Sequence, residues 1–122
     1  MSEIIDLGNS GGAVATATTE CTIYDNGDKS WHLNGKYHRV DGPAIEWANG
    51  AKYWFLNGEL HRTDGPAVEY ANGTKYWLLN DKYHRTDGPA LEYANGDKYW
   101  YLNGIQYTEE EFDIIKEVLW AI

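Results

Sequence analysis

A 23-residue unit is written three times in succession, from Ser30 to Lys52, from Tyr53 to Lys75 and from Tyr76 to Lys98, with fourteen of its positions identical in all three copies. Truncated copies run from Thr22 to Lys29 and from Tyr99 to Tyr107. Repetition at that period dictates a stack of small modules, each packing on its neighbours, so function is to be sought on a repeated surface rather than in one cleft. The invariant positions are the Trp at 31, 54 and 77, then Leu, Asn, His-Arg, Asp-Gly-Pro-Ala, Glu, Ala-Asn-Gly and Lys at matching offsets.

Within one unit, Lys52-Tyr53-Trp54-Phe55-Leu56 alternates, placing Trp54 and Leu56 on one face and Tyr53 and Phe55 on the other, which is strand periodicity. Asn57-Gly58 follows, two residues that tolerate positive φ, as a two-residue type I′ hairpin turn requires. The return strand Glu59-Leu60-His61-Arg62 ends at Thr63-Asp64-Gly65-Pro66, where proline removes a ladder donor and glycine frees the backbone. A second strand, Ala67 to Ala71, leads to Asn72-Gly73 and the next unit. Seven Asn-Gly dipeptides punctuate the chain, with Asn80-Asp81 the single departure. The expected fold is mostly β, an elongated antiparallel hairpin-repeat meander or solenoid over residues 22–107, closed by a C-terminal helix.

An open stack needs end caps, because its last unit otherwise leaves a strand edge and an apolar face in water. Thr108-Glu109-Glu110-Glu111 reads as a capping box with acids in the first helical turn. Phe112, Ile115, Leu119 and Ile122 then recur at helical spacing, widened by Ile114 and Val118. Residues 108–122 are thus an amphipathic helix laid over the final hairpin, and its broad apolar face also allows a homo-oligomer contact. Residues 1–21 form a flexible or edge-strand segment. Its Gly8-Asn9-Ser10-Gly11-Gly12 run lacks the helix and Lys of a phosphate-cradling loop and reads as a linker.

The net charge of −9 sits at the two ends: residues 1–29 and 99–122 each carry five acids and one base, whereas residues 30–98 carry nine acids and eight bases. A nucleic-acid mimic would spread acid over the repeated face and a duplex binder would need a basic stripe there, so both are excluded. One cysteine, Cys21, excludes an internal disulfide framework. With neither a basic, apolar leader nor a membrane-length apolar run, the expectation is a soluble cytoplasmic protein that does not engage membranes.

Strings such as Tyr53-Trp54-Phe55-Leu56-Asn57-Gly58-Glu59-Leu60-His61-Arg62 and Asn72-Gly73-Thr74-Lys75-Tyr76-Trp77 resemble the MORN repeat, and more closely its shorter variant class, over residues 22–107. The Gly-x-Gly that follows the His in the standard pattern is replaced here by Asp-Gly-Pro-Ala, so the lipid-binding roles of that family are not carried over. The variant is similar to repeats in bacteriophage proteins and in YwqK-type antitoxins of bacterial toxin modules. That resemblance implies a protein that binds and blocks a partner, a toxin or a host defence factor. Lys98-Tyr99-Trp100-Tyr101-Leu102-Asn103-Gly104 also resembles choline-binding cell-wall repeats, which are usually found on exported chains.

Three constellations are candidates for chemistry. The pairs His38-Arg39, His61-Arg62 and His84-Arg85 could clamp an anion, but equivalent histidines are separated by at least two strands, roughly 9 to 10 Å. Zinc ligands each stand about 2 Å from the ion, so a shared metal is not expected. The Trp series with Leu33, Leu56, Leu79 and Leu102 reads as core. The opposite face, with Tyr53, Phe55, Tyr76, Tyr99 and Tyr101, is the candidate binding surface, since amphipathic aromatics favour interfaces. Acids and bases in near-identical triplicate do not make one active site, so the expected protein is a non-catalytic binder without cofactor that inhibits or sequesters a protein. Alternatives are sequestration of a small nucleotide or sugar by the aromatic and His-Arg surfaces, and a structural or accessory role in a phage particle.

Overall fold

The computed structural model describes residues 2–6 and 16–121, with side chains over residues 18–118. The Gly8–Gly12 run and Ile122 lie outside the described residues, as does the side chain of Leu119. The chain is an antiparallel hairpin meander of short strands ending in one helix, and it divides into two compact units, residues 1–59 and 60–122. Among the described residues no helix is long and apolar enough to cross a membrane.

The first unit contains β1 (Ser2–Asp6), β2 (Thr16–Ile23), β3 (Lys29–Leu33), β4 (Lys36–Tyr37), β5 (Ile45–Glu46), β6 (Lys52–Tyr53) and β7 (Phe55–Leu56), followed by β8 (Glu59–Leu60) at the division. Its sheet runs β1-β2-β3-β5-β6, with β4 folded back on β3. The second unit contains β9 (Val68–Glu69), β10 (Lys75–Tyr76), β11 (Leu78–Leu79), β12 (Lys82–Tyr83), β13 (Leu91–Glu92), β14 (Lys98–Leu102), β15 (Ile105–Tyr107) and α1 (Glu109–Ala121). Here the order is β9-β10-β13-β14-β15, and β11 and β12 make a separate hairpin. Lys75 stands opposite both Glu69 and Glu92, and Lys98 opposite Glu92, so alternating charge marks the register.

The strand expected from Lys75 to Leu79 is interrupted at Trp77. Its N–H donates to the Ala90 carbonyl at 2.7 Å while its own carbonyl accepts from the N–H of His84 at 3.0 Å. The chain changes partners at that residue, from the sheet to the hairpin. β3 stays continuous because β2 pairs with it through Trp31, Cys21 standing opposite.

The Asn-Gly sites are of two kinds. At 34–35, 57–58 and 103–104 both residues have positive φ, as type I′ hairpins demand, and Asn80-Asp81 does the same with Asp81 at +67°. Asp81 fits because its Oδ1 accepts the N–H of Leu60 at 2.7 Å, a bond glycine cannot make. At Asn26, Asn49, Asn72 and Asn95 only the following glycine is left-handed, and the asparagine Oδ1 accepts the N–H two residues on at 2.9 to 3.0 Å.

Register partners share a face, which puts Val68 and Leu91 beside Tyr76. These two and Ile45 are buried, and each follows a fully buried Ala, at 67, 90 and 44. The tyrosine face therefore has its own apolar row, which period-two reading of the Trp strand alone does not reveal. On the opposite face Trp31 and Leu33 are buried as expected, whereas Trp54, Leu56, Trp77, Leu79, Trp100 and Leu102 are only half-buried, so the expected Trp-Leu core is complete in the first copy alone. At the C-terminus the capping box is reciprocal, the Glu111 N–H donating to Thr108 Oγ1 at 3.1 Å and the Thr108 N–H to Glu111 Oε1 at 2.8 Å. Helix α1 packs on β14 and β15 through the fully buried Phe112.

Gly42, Gly65 and Gly88 do not have positive φ, so backbone freedom is not why glycine stands there. An added Cβ would meet the guanidinium carbon of Arg39, Arg62 or Arg85 at 3.1, 2.8 or 3.0 Å. Close passage of the arginine is the constraint. Gly65→Ala should therefore cost about 1 to 3 kcal/mol by displacing Arg62, while Thr63→Ser, at an exposed position where the first copy has Val40, leaves stability unchanged. Chemical denaturation of both variants checks this, and equal midpoints would refute it.

Candidate functional site

Each Asp-Gly-Pro turn is built around the arginine that precedes it. Arg85 Nε donates to Asp87 at 2.7 Å, and its Nη1 donates to the Pro89 carbonyl at 3.0 Å and to Glu92 at 2.7 Å. Its guanidinium lies over the Trp77 ring at 3.8 Å, as that of Arg39 lies over Trp31 at 3.8 Å. Arg39 and Arg62 make the same three bonds, to Asp41, Pro43 and Glu46 and to Asp64, Pro66 and Glu69. Two carboxylates thus neutralise every guanidinium, and these charge-assisted bonds are the strong kind. The Asp87 carboxyl is held below its usual range, first by the hydrogen bond from Arg85, with the Lys116 ammonium of α1 adding to the effect.

The histidines are also turned inward. Nδ1 of His38, His61 and His84 accepts the backbone N–H of Asn57, Asn80 and Asn103 at 3.0, 3.1 and 2.9 Å, tying each to the hairpin turn of the following copy. A nitrogen that accepts carries no proton, so the bond leaves the ring N–H on Nε2. No group of three or more His, Cys, Asp or Glu that could hold a metal ion occurs among the described residues. In the second unit Arg62, Asp64, Trp77, His84, Arg85 and Asp87 line an open groove of about 560 Å³. It brings Arg62 together with the His84-Arg85 pair, but with both arginines already matched by acids.

The tyrosine face is a ladder of rings. Tyr70, Tyr76, Tyr93 and Tyr99 follow one another edge to face at 5.6, 5.8 and 5.8 Å. Tyr83 meets Tyr76 at 6.0 Å and Tyr101 at 5.1 Å. In the first unit Trp47 meets Tyr53 at 5.7 Å, and Phe55 lies 5.2 Å from Tyr37 and 6.5 Å from Tyr53. Each of the five aromatics expected at the surface, at 53, 55, 76, 99 and 101, thus makes ring contacts within its own unit. Tyr99 is exposed and the other four are half-buried. Sequence reasoning missed Trp47, Tyr70 and Tyr93, although an aromatic follows the invariant Glu in every copy. It also missed Tyr37 and Tyr83 on the return strands. On α1, Ile115 is half-buried whereas Ile114 and Val118 are exposed.

No family model, curated protein or solved structure matches the chain.

Burial pushes the Tyr76 phenol up to about 12, with the hydrogen bond to Tyr93 adding to it, and burial raises Tyr83 as well. The folded state thus favours neutral Tyr76 more than the unfolded state does. Its contribution is complete below the ordinary value of 10.0 and is lost as pH climbs from there to about 12. Ultraviolet titration of phenolate formation should show a late component near pH 12 that vanishes in Tyr76→Phe. A titration curve unchanged by that substitution would refute the assignment.

Proposed function

We propose that this chain is a non-catalytic binding protein that docks its tyrosine ladder on a partner protein and thereby inhibits or sequesters it. One observation carries the reading. The row Tyr70-Tyr76-Tyr93-Tyr99 offers rings that are partly exposed, with Tyr93 and Tyr99 at 36% and 37%, yet are already fixed edge to face by their neighbours. Large aromatic contact area that is ordered before binding loses little side-chain entropy in the complex. The Trp face supports recognition less well, because its arginines and histidines are bonded within the protein. The resemblance of the repeat implies a toxin or host defence factor as the class of partner.

The groove beside Trp77 and Arg85 supports a second reading, uptake of a small sugar or nucleotide. For an anionic ligand the paired carboxylates oppose it, since Asp64 and Asp87 remain largely exposed at the groove.

Affinity capture from cell lysate with wild type and with the Tyr93→Ser/Tyr99→Ser double variant tests the leading reading. A partner enriched by wild type should be lost from the variant while its unfolding midpoint stays within a few degrees. Equal capture by both proteins, or no enriched partner with either, would contradict it.

A further inference from the structure

One ring of the ladder is missing. Positions 53, 76 and 99 carry tyrosine, and the matching position of the first copy carries Ser30. Tyr76 is held edge-on by three rings: Tyr70, six residues before it, at 5.6 Å, Tyr83, seven after, at 6.0 Å, and Tyr93, seventeen after, at 5.8 Å. The same offsets counted from Ser30 reach Tyr24, Tyr37 and Trp47. All three are aromatic, and they stand exposed at 49%, 37% and 37%. Together with Ser30 and Ile45 they line a cavity of about 210 Å³. The floor matches on one side, since Ile45 lies opposite Ser30 in the register as Leu91 lies opposite Tyr76, while on the other side Thr22 stands where Tyr76 has Val68. The cavity thus corresponds to the seat of Tyr76, with the Tyr24 hydroxyl 3.4 Å from Ser30 Oγ in place of the ring contact that Tyr70 makes with Tyr76.

We propose that this cavity is a binding site for a phenol ring, carried by a tyrosine side chain of a partner protein. An apolar cavity of about 150 Å³ is enough to take up benzene, so size is sufficient. Rings placed as these are present their faces and edges to a guest in the edge-on geometry that aromatic pairs prefer. Asp28 and Lys29 also line the cavity and provide an acceptor and a donor for the hydroxyl. Asp28 is fixed in place, its Oδ1 accepting the N–H of Ala48 at 2.6 Å and its Oδ2 a proton of the Asn26 amide at 3.0 Å. The inference rests on the protein-binding reading only for what carries the ring. The preference for a phenol stands by itself.

Titration of the ¹⁵N-labelled protein with p-cresol, followed at the Trp47 indole N–H, tests it, with cyclohexanol as a guest of similar bulk that is not aromatic. The full chain and Ser30→Ala should both respond to p-cresol, and cyclohexanol should bind at least about tenfold more weakly. Ser30→Tyr supplies the missing ring, and it should abolish the response while raising the thermal midpoint. Should that variant fail to fold, Tyr37→Ala removes one wall and must weaken p-cresol binding instead. No response of wild type to p-cresol, an equal response to cyclohexanol, or p-cresol binding that survives in both Ser30→Tyr and Tyr37→Ala would overturn the proposal. None of these results bears on the Tyr93/Tyr99 capture experiment, because those residues lie in the other unit.

Discussion

The guanidinium of Arg85 rests on the ring of Trp77 at 3.8 Å, with Gly88 beneath it and carboxylates on two sides, and the rest of the repeat follows from that placement. A cation stacked on an indole in a half-buried position must have its donors satisfied, or desolvation would outweigh the stacking. Asp87, the Pro89 carbonyl and Glu92 satisfy them. Invariance of Trp, Arg, Asp, Gly, Pro and Glu across three copies thus has one physical cause. Of the two acids Glu92 is the better shielded, its side chain 33% exposed against 75% for Asp87. Water screens the Asp87 pair more, yet Asp87 is the acid that the arginine holds below its usual range, so both carboxylates hold the guanidinium.

This arrangement divides the labour between the faces. On the Trp face the groups with chemical potential are turned inward: arginine toward acids, histidine Nδ1 toward the backbone of the following copy. The tyrosine face is held by ring edges over an aliphatic row, which leaves phenols partly in water. Repetition makes that face periodic, and Ser30 interrupts the period at one place.

Much of the fold was legible because it is local. Alternation in Lys98-Tyr99-Trp100-Tyr101-Leu102, positive φ at Asn57-Gly58 and the Thr108–Glu111 box each depend on residues within a few positions of one another. The break at Trp77 was not, since it arises from bonds to Ala90 and His84. Gly65 was legible as a turn position, but the backbone freedom read there was the wrong cause, because nothing local shows an arginine passing 2.8 Å from where its Cβ would be. At the candidate site the tyrosines at 53, 76, 99 and 101 announced themselves by alternation. Tyr70 and Tyr93 did not, because they join the ladder only once strands are paired, and the gap at Ser30 shows only once its neighbours are placed.

A double-mutant cycle between Arg85→Lys and Glu92→Gln measures the arginine clamp most directly, since Lys keeps the charge and loses the fork and the stack. If the clamp organises the repeat, the coupling energy from chemical denaturation should reach about 1.5 to 3 kcal/mol, the range of hydrogen bonds to charged groups. A coupling below about 0.5 kcal/mol, as for an ordinary exposed ion pair, would contradict the account.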